Sequence, residues 1–423
     1  MLLNRKKAPP IHTITELNLP VWNTKMIENG TVFHTYQAGK QPVVKLNIVF
    51  KGSRWVEPQP LVSRATITML REGTTQRTAA EIAEYLDTYA GTLRLSDGIE
   101  TVTLTLFCLK KHLDKLLPLI MEMLLTPSFP DHELKTYTDN IRQELKIDLD
   151  KNDLVAYRKT TEMMFGEVHP YGYNSKDEMY EALTRDSLVA FHANNIVGSN
   201  CEATASGDID AKTAILIKNY LAQLPKGTAA AYQKIKAVSA PIADVTIPKE
   251  RSLQAALCIA RRLFARQHPD FPAMQVLNCV FGGYFGSRLM SNIREEKGYT
   301  YGIYSSISCM SDDGFLMIST EVGKELADAT RTEIWREIDD LKANLIPDDE
   351  LEMVRNYMMG QLLQQLDGAF ATSEVIREYT LNNLDEAHFD RMIAAIQHTT
   401  PEQLRALAQR YFVKEAFYQV QVG

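Results

Sequence analysis

A five-residue sequence occurs twice in this chain, each time after the same order of predicted elements. Pro130-Asp-His-Glu-Leu134 returns as Pro347-Asp-Asp-Glu-Leu351. Each copy follows a stretch with the alternation of a strand and then an amphipathic helix. One short match could arise by chance, but the surrounding elements repeat in the same order, so we expect an internal duplication.

Hydrophobic periodicity predicts the elements around both copies. Val44, Leu46, Ile48 and Phe50 alternate with polar residues such as Lys45, which predicts a half-buried strand. The other elements expected in the first half are a strand over 101–107 and helices over 61–71, 79–89 and 110–125. In the second half the pattern predicts a strand over 315–320, followed by a helix over 325–342.

Strands in hairpin-like order beside pairs of helices predict an α+β fold rather than a strict alternation of strand and helix. Two homologous halves are expected, over residues 1–223 and 235–423. The stretch 224–234, which is small and polar, is expected to be the linker between them.

Composition narrows the class of protein. The chain has 423 residues, 45% of them apolar, which is enough for a sizeable core. Its net charge of −7 gives no electrostatic reason to expect nucleic acid or an anionic membrane as a partner. The five cysteines are scattered without a Cys-x-x-Cys pair, and no apolar run suits a signal peptide or a membrane span. We therefore expect a cytoplasmic protein without a disulfide framework.

Two strings in the second half are the most specific local signals. They are Phe281-Gly-Gly-Tyr-Phe-Gly-Ser-Arg-Leu289 and Ile293-Arg-Glu-Glu-Lys-Gly-Tyr-Thr-Tyr301. Shorter strings precede them at Lys51-Gly-Ser-Arg54, Glu72-Gly-Thr74, His169-Pro-Tyr-Gly172 and Ser206-Gly-Asp-Ile-Asp210. In this order, over nearly the whole chain, they resemble the peptidase family that includes insulin-degrading enzyme, pitrilysin and the mitochondrial processing peptidase. The resemblance implies two homologous halves, each a mostly antiparallel sheet packed with helices, arranged as half of a peptidase clamshell.

The resemblance also implies where a zinc site would lie. Active members carry His-x-x-Glu-His on the first helix, where the histidines bind zinc and the Glu activates the metal-bound water. Counting back from Gly73-Thr74 places these positions at Arg64, Ile67 and Thr68. Arg64 is a permanent cation, Ile67 has only an alkyl group, and Thr68 is a poor zinc ligand. These side chains do not replace the two histidines and the Glu. The third family ligand falls at Glu144, which also suits a plain exposed helix residue and is not a site alone.

No other catalytic or metal site emerges from the sequence. The nine histidines lack zinc-ligand spacing, and no Ser/His/Asp or Cys/His set of comparable quality is found. The glycine-rich loop with Gly282, Gly283 and Gly286 is not a phosphate loop, since no Gly-Lys-Ser/Thr follows it. We therefore expect no cofactor in this chain and no catalysis by the chain alone.

Arg294 and Tyr301 match a family pair that reaches across the cleft to the zinc-bearing half and holds the peptide near its scissile carbonyl. A guanidinium and a phenol hydroxyl are donors suited to stabilising an oxyanion. Locally, Ser287 is expected to cap a helix that Gly298 ends, and Tyr301 is expected to lie on the strand that follows. Without the resemblance, the simpler interpretation is a solvated Arg and a core Tyr.

In some bacterial members of the family, the zinc motif and the Arg/Tyr pair lie on separate chains of about this length. This chain has the second pattern. The resemblance therefore implies a non-catalytic subunit that completes the cleft of a zinc-bearing homologous partner, together forming a metallopeptidase for unfolded or extended peptides. Two alternatives stay open. They are a peptide-binding or structural pseudopeptidase, acting as a homodimer or assembly subunit, and an active zinc peptidase with an unusual site.

Overall fold

The computed structural model describes residues 14, 16–228, 232 and 235–423. Six strands form one sheet, namely β1 (Asn23–Met26), β2 (Val32–Gln37), β3 (Val43–Lys51), β4 (Thr92–Asp97), β5 (Thr101–Leu109) and β6 (Cys201–Gly207). Five form another, namely β7 (Asp244–Ile247), β8 (Gln254–Leu263), β9 (Ile303–Cys309), β10 (Gly314–Gly323) and β11 (Tyr418–Val422). The sheet orders are β1-β2-β6-β3-β5-β4 and β7-β11-β8-β10-β9. Each sheet is thus built from one half of the chain.

Helices pack on both sheets. Those of the first half are α1 (Val62–Met69), α2 (Ala79–Thr88), α3 (Leu113–Leu125), α4 (Asp131–Asp150), α5 (Asn152–Phe165), α6 (Asp177–Glu181), α7 (Arg185–Asn195) and α8 (Ala211–Leu221). Those of the second half are α9 (Phe271–Asn278), α10 (Ala327–Ala343), α11 (Asp348–Gln365), α12 (Gly368–Leu381), α13 (Glu386–His398) and α14 (Pro401–Tyr411). Among the described residues, no helix is both long enough and apolar enough to cross a membrane.

The strand pairing confirms the predicted duplication and the α+β class. β2 runs parallel to β6, and β7 runs parallel to β11. The central strand β3 is antiparallel to β6 and β5, as β8 is to β11 and β10. The repeated sequence starts equivalent helices, α4 and α11. The N–H of Leu134 donates to Pro130 O over 3.0 Å, as that of Leu351 does to Pro347 O.

The prediction that β3 is half-buried is wrong, because both of its faces are covered. Lys45 and Asn47, on the polar face, are only 5% and 1% exposed. α12, from the second half of the chain, lies over them. Lys45 Nζ donates to Phe370 O over 3.2 Å and pairs with the Glu374 carboxylate, to which Asn47 Nδ2 also donates over 3.2 Å. A buried Lys needs such a partner, and the alternation of the strand alone does not reveal one.

The two halves exchange helices across their contact. α12 packs on β6 of the first sheet, and α5 of the first half packs on β8 and β11 of the second. At the start of α5, Asn152 Nδ2 donates to Gln254 O over 2.8 Å. This exchange holds α5 beside the second sheet. Only 224–228 and 232 of the predicted linker are among the described residues, and the domain boundaries stay a prediction.

Candidate functional site

The helix that carries the zinc motif in active members is present here as α1. Its first turn is fixed by Glu57, whose carboxylate accepts hydrogen bonds from the backbone N–H groups of Leu61 and Ser63 over 3.3 and 3.1 Å. The same carboxylate accepts a hydrogen bond from the Tyr173 hydroxyl over 2.5 Å. These bonds satisfy N–H groups that a helix start leaves free. The start of helix α1 is therefore well stabilised, although α1 carries no zinc-binding side chains.

The three motif positions have structural partners of their own. Ile67 is 2% exposed and belongs to the core of the first half. Thr68 Oγ1 donates to the carbonyl of Arg64 over 2.9 Å, so its hydroxyl is already engaged within the helix. Arg64 Nε lies 3.7 Å from Asp97 Oδ1, and its Nη1 donates to the Tyr180 hydroxyl over 3.4 Å.

Arg64 places a fixed organic cation in this neighbourhood. Burial acts to lower the pKa of Arg64, but the charges of Asp97, Tyr180 and nearby Glu144 outweigh that effect and raise it. Burial raises the pKa of Asp97, which Arg64 offsets only in part, as expected for a loose pair at 3.7 Å. The structure therefore brings Arg64 near Glu144, the surviving ligand position, with a positive charge where a metal would need anionic or neutral donors.

These residues do not fit a zinc ion. Arg64 repels it, Ile67 has no donor atom, and the Thr68 hydroxyl is a poor ligand. Across the ranges that the structure describes, no three His, Cys, Asp or Glu side chains converge in a way that could hold a metal ion. No step of chemistry in this chain is therefore assigned to zinc.

We expect the purified chain to contain far less than about one zinc ion per molecule, because it offers at most one of the three ligands that a catalytic zinc site needs. Metal analysis after gel filtration measures this. A homologous chain with an intact His-x-x-Glu-His motif, purified in parallel, is the positive control. Stoichiometric zinc in this chain, removable by a chelator with loss of peptide hydrolysis, would contradict the prediction.

The first specific string of the second half, Phe281–Leu289, makes structural contacts. A Cβ added at Gly282 would lie 2.7 Å from the backbone N and Cβ of Ser305 in β9, so only glycine permits this close approach. Cβ atoms at Gly283 and Gly286 would also be crowded, by Asn278 O at 3.1 Å and the Tyr284 ring at 2.8 Å. The predicted glycine loop therefore serves packing.

Arg288, in the same string, is also a structural residue. Its Nε and Nη2 donate to the two oxygens of Glu350 over 2.8 and 2.9 Å, and its Nη1 donates to Asp340 Oδ2 over 2.6 Å. Such a forked arrangement fixes both partners in position. It joins the segment to α10 and α11 and uses all three nitrogens of Arg288 in structural contacts.

The second string begins inside a π-helical segment, Met290–Glu296. The expected cap by Ser287 is wrong, because its hydroxyl is buried without a hydrogen-bond partner among the described residues, and its backbone carbonyl accepts from Ser291 instead. Gly298 does follow the end of the segment, with φ of +65°. The Tyr299 N–H then donates to Ile293 O over 3.0 Å, which folds the chain back towards β9.

Arg294 and Tyr301 lie on either side of this turn. The Arg294 guanidinium lies 4.4 Å from the centre of the Phe285 ring, which is itself 57% exposed. Tyr301 precedes β9 rather than lying within it, and it is 95% exposed, so its interpretation as a core residue is wrong. No hydrogen bond joins the two side chains among the described contacts.

The backbone beside Tyr301 is held firmly. Thr300 Oγ1 donates to Glu321 O over 2.7 Å and accepts from the Gly302 N–H over 3.1 Å. Thr320 Oγ1 donates to Gly302 O over 2.9 Å. A side chain this exposed contributes little to packing within the chain. A fixed backbone that presents such a side chain to solvent suits a residue that contacts another molecule.

Tyr301 also lines a cavity of about 670 Å³ between α5 and the second sheet. Its other lining residues include Asp153, Tyr157, Tyr304 and Glu321. Sequence reasoning missed these four because they come from three separate elements, α5, β9 and β10, and carry no shared motif. The one feature that could have indicated two of them is strand alternation, because Tyr304 and Glu321 lie at the more exposed positions of β9 and β10.

Two family models match the chain. The model described as insulinase (peptidase family M16) covers residues 66–168, and the one described as peptidase M16 inactive domain covers residues 182–358. The chain belongs to the insulinase-type M16 peptidase family. Because residues 182–358 match the model described as the M16 inactive domain, it is an M16 peptidase-like protein of the inactive type.

Curated relatives match the M16 chain over most of its length. An uncharacterized zinc protease, YmxG of Bacillus subtilis, is 25% identical over 370 residues, covering 86% of this chain and 89% of that protein. An uncharacterized zinc protease of Rickettsia bellii is 23% identical over 366 residues, covering 85% and 88%. Those names describe the relatives.

Solved structures share the fold. The M16 inactive domain from Pseudomonas fluorescens has a TM-score of 0.85 at 22% identity, covering 96% of this chain and 98% of that one. A protease from Helicobacter pylori has a TM-score of 0.87 at 17% identity, covering 96% and 99%. The periplasmic protease PqqL from Escherichia coli has a TM-score of 0.79 at 15% identity; the match covers 99% of this chain but 49% of PqqL. The M16 chain thus corresponds to about half of that larger protease.

Proposed function

We propose that this M16 chain is the non-catalytic subunit of a heterodimeric zinc metallopeptidase. Its partner is a homologous chain of similar length that carries His-x-x-Glu-His and binds the zinc. The contrast between the two halves supports this proposal. Arg64, Ile67 and Thr68 offer no zinc site, whereas Tyr301 is held 95% exposed on an anchored backbone.

In the complex, this chain supplies hydrogen-bond donors to the peptide bond that is cut. The Tyr301 hydroxyl and the Arg294 guanidinium meet the carbonyl oxygen as it gains negative charge. The His-x-x-Glu-His side chains of the partner would hold the zinc ion, which would supply the activation of the attacking water. The hydrogen bonds of Thr300 fix the backbone of Tyr301 before substrate arrives, which lowers the cost of ordering it.

The substrates are unfolded or extended peptides. β9 is an edge strand that begins two residues after Tyr301, although the Ser305 carbonyl on this strand already accepts a hydrogen bond from Asn278 Nδ2 over 3.1 Å. Main-chain hydrogen bonds to such an edge recognise an extended peptide with little dependence on its sequence. The size of the 670 Å³ cavity beside Tyr301 suits at least one substrate side chain.

Mixing the two chains tests the proposal. A zinc-bearing homologous chain, chosen from the neighbouring gene, is purified separately, and cleavage of a quenched fluorescent unfolded peptide is measured for each chain and for the mixture. We expect no activity from either chain alone, activity from the mixture and a 1:1 complex in gel filtration. Cleavage by this chain alone overturns the proposal. Peptide binding by a stable homodimer that gains no activity from such a partner favours the pseudopeptidase instead.

A further inference from the structure

The cavity beside Tyr301 lies over small side chains of the second sheet. Residues two apart on a strand point to one face, and Ala256 and Cys258 of β8 share that face with Ser319 and Glu321 of β10. Cys258 is paired with Ser319 in the register, and Ala256 with Glu321. Because three of these four side chains are small, the floor leaves room for a long side chain above it.

Tyrosine rings form the walls. Tyr157 projects from α5 and is 41% exposed, and Tyr304 on β9 is 49% exposed. Tyr301 stands at the edge of the same cavity. Aromatic faces attract cations, with a strength of about 0.5–2 kcal/mol depending on exposure. Three exposed rings around one cavity therefore favour a cationic group with an apolar stem.

Two carboxylates line the cavity, and neither forms an ion pair with a Lys or Arg among the described residues, although the charge of Asp153 also acts on nearby Lys151. Asp153 and Glu321 are its charged lining residues, and no Lys, Arg or His joins them. In the part of the chain that the structure describes, neither carboxylate has a Lys or Arg nitrogen within 4 Å; nearby Lys151 is paired with Asp148 over 2.8 Å. Burial raises the pKa of Glu321, and Asp153 adds to that effect, so the two groups sense each other.

We propose that this cavity binds a Lys or Arg side chain of the substrate peptide, which makes peptides with a basic residue near the scissile bond the preferred class. The aliphatic stem lies over Ala256 and the tyrosine rings, and the charged head reaches Asp153 and Glu321. An apolar side chain would cover the same carboxylates without pairing them, which is unfavourable. The role near the scissile bond rests on the proposed function, because it depends on Tyr301 being at that bond.

The test uses the isolated chain, so that it does not depend on a partner. Fluorescein-labelled ten-residue peptides of Ala, Ser and Gln carry one central Arg, citrulline, Phe or Glu, and binding is followed by fluorescence anisotropy. We expect the Arg peptide to bind about tenfold or more tightly than the citrulline peptide, which has the same shape without the charge. Glu321→Gln combined with Asp153→Asn should reduce that ratio to about twofold or less.

Control variants distinguish the effect of the two carboxylates at the cavity from the effect of the net charge of the chain. Glu84→Gln, on the exposed face of α2 outside the cavity, should keep the full preference for the Arg peptide. Glu321→Lys should reverse the preference towards the Glu peptide. Equal binding of Arg and citrulline peptides, a preference that survives the double variant, or no binding of the Arg peptide at millimolar concentration overturns the proposal. A preference for Arg stands even if mixing with a zinc-bearing chain yields no activity, so the two proposals fail separately.

Discussion

Tyr301→Phe is expected to lower kcat of the reconstituted complex by about 10²–10³-fold, which corresponds to roughly 2.7–4 kcal/mol of transition-state stabilisation. The substitution removes one hydroxyl donor and keeps the ring. If that donor meets the oxyanion only as charge develops, KM should change little while kcat falls. Steady-state kinetics on the peptide used for the mixing experiment measure both constants.

The controls for Tyr301 rely on the high exposure of its side chain, which lets it be replaced with little effect on stability. Because it is 95% exposed, Tyr301→Ala should change the stability of the chain by no more than about 0.5 kcal/mol. Tyr357→Phe, which removes a hydroxyl from a 39% exposed Tyr on α11, is the matched control and should leave kcat unchanged. Arg294→Lys keeps the charge but loses the fork and should also lower kcat. Full kcat and KM in Tyr301→Phe would remove the catalytic role and favour a structural pseudopeptidase.

Ile67→Glu, the single change that restores the family's general base, is expected to destabilise the chain by at least about 3 kcal/mol. Ile67 is 2% exposed in the core of the first half, so the new carboxylate would be buried, and Arg64, three residues earlier on α1, is already engaged with Asp97 and Tyr180. For a half of about 200 residues, this corresponds to a fall of roughly 6–12 °C in the thermal midpoint. Differential scanning calorimetry of both proteins measures the change.

The pH dependence of that loss identifies its cause. Burial would raise the pKa of the introduced carboxyl, so the folded state would bind more protons than the unfolded state, and stability would fall as pH rises above about 4.3. The penalty should therefore be smaller at pH 4 than at pH 8. Ile67→Val, which only trims the side chain, should cost about 0.5–1.5 kcal/mol at either pH. A loss below about 1 kcal/mol for Ile67→Glu would show that position 67 opens to solvent.

The duplication could be predicted because it rests on local patterns. The spacing of Pro130 and Pro347 from their buried leucines, and the period of the strands before them, are properties of short segments. The prediction that failed was the exposure of Lys45 and Asn47. Their polar character predicts exposure, but α12, more than 300 residues later, covers them and supplies Glu374. A strand cannot indicate by its own period which helix will pack on it.

The candidate site divides in the same way. The resemblance assigns the zinc-motif positions to Arg64, Ile67 and Thr68, and the chemical identity of these side chains is visible in the sequence. The exposure of Tyr301 is not, since a Tyr before a strand suits a core or a surface equally well. Only the folded structure shows that the Tyr301 side chain is 95% exposed, beside a backbone that the hydrogen bonds of Thr300 to Glu321 and Gly302 hold in place.

By itself, the sequence determined the family, the duplicated α+β plan and the absence of zinc-binding side chains on α1, because each depends on residue types and on spacings within one segment. The tertiary structure alone decided that α5 and α12 exchange between the halves and that Arg64 is paired with Asp97 and Tyr180. It alone also placed Asp153 and Glu321 at one cavity with three tyrosines. These contacts join residues far apart in the chain, and their energies depend on distances and burial that exist only once both sheets have formed.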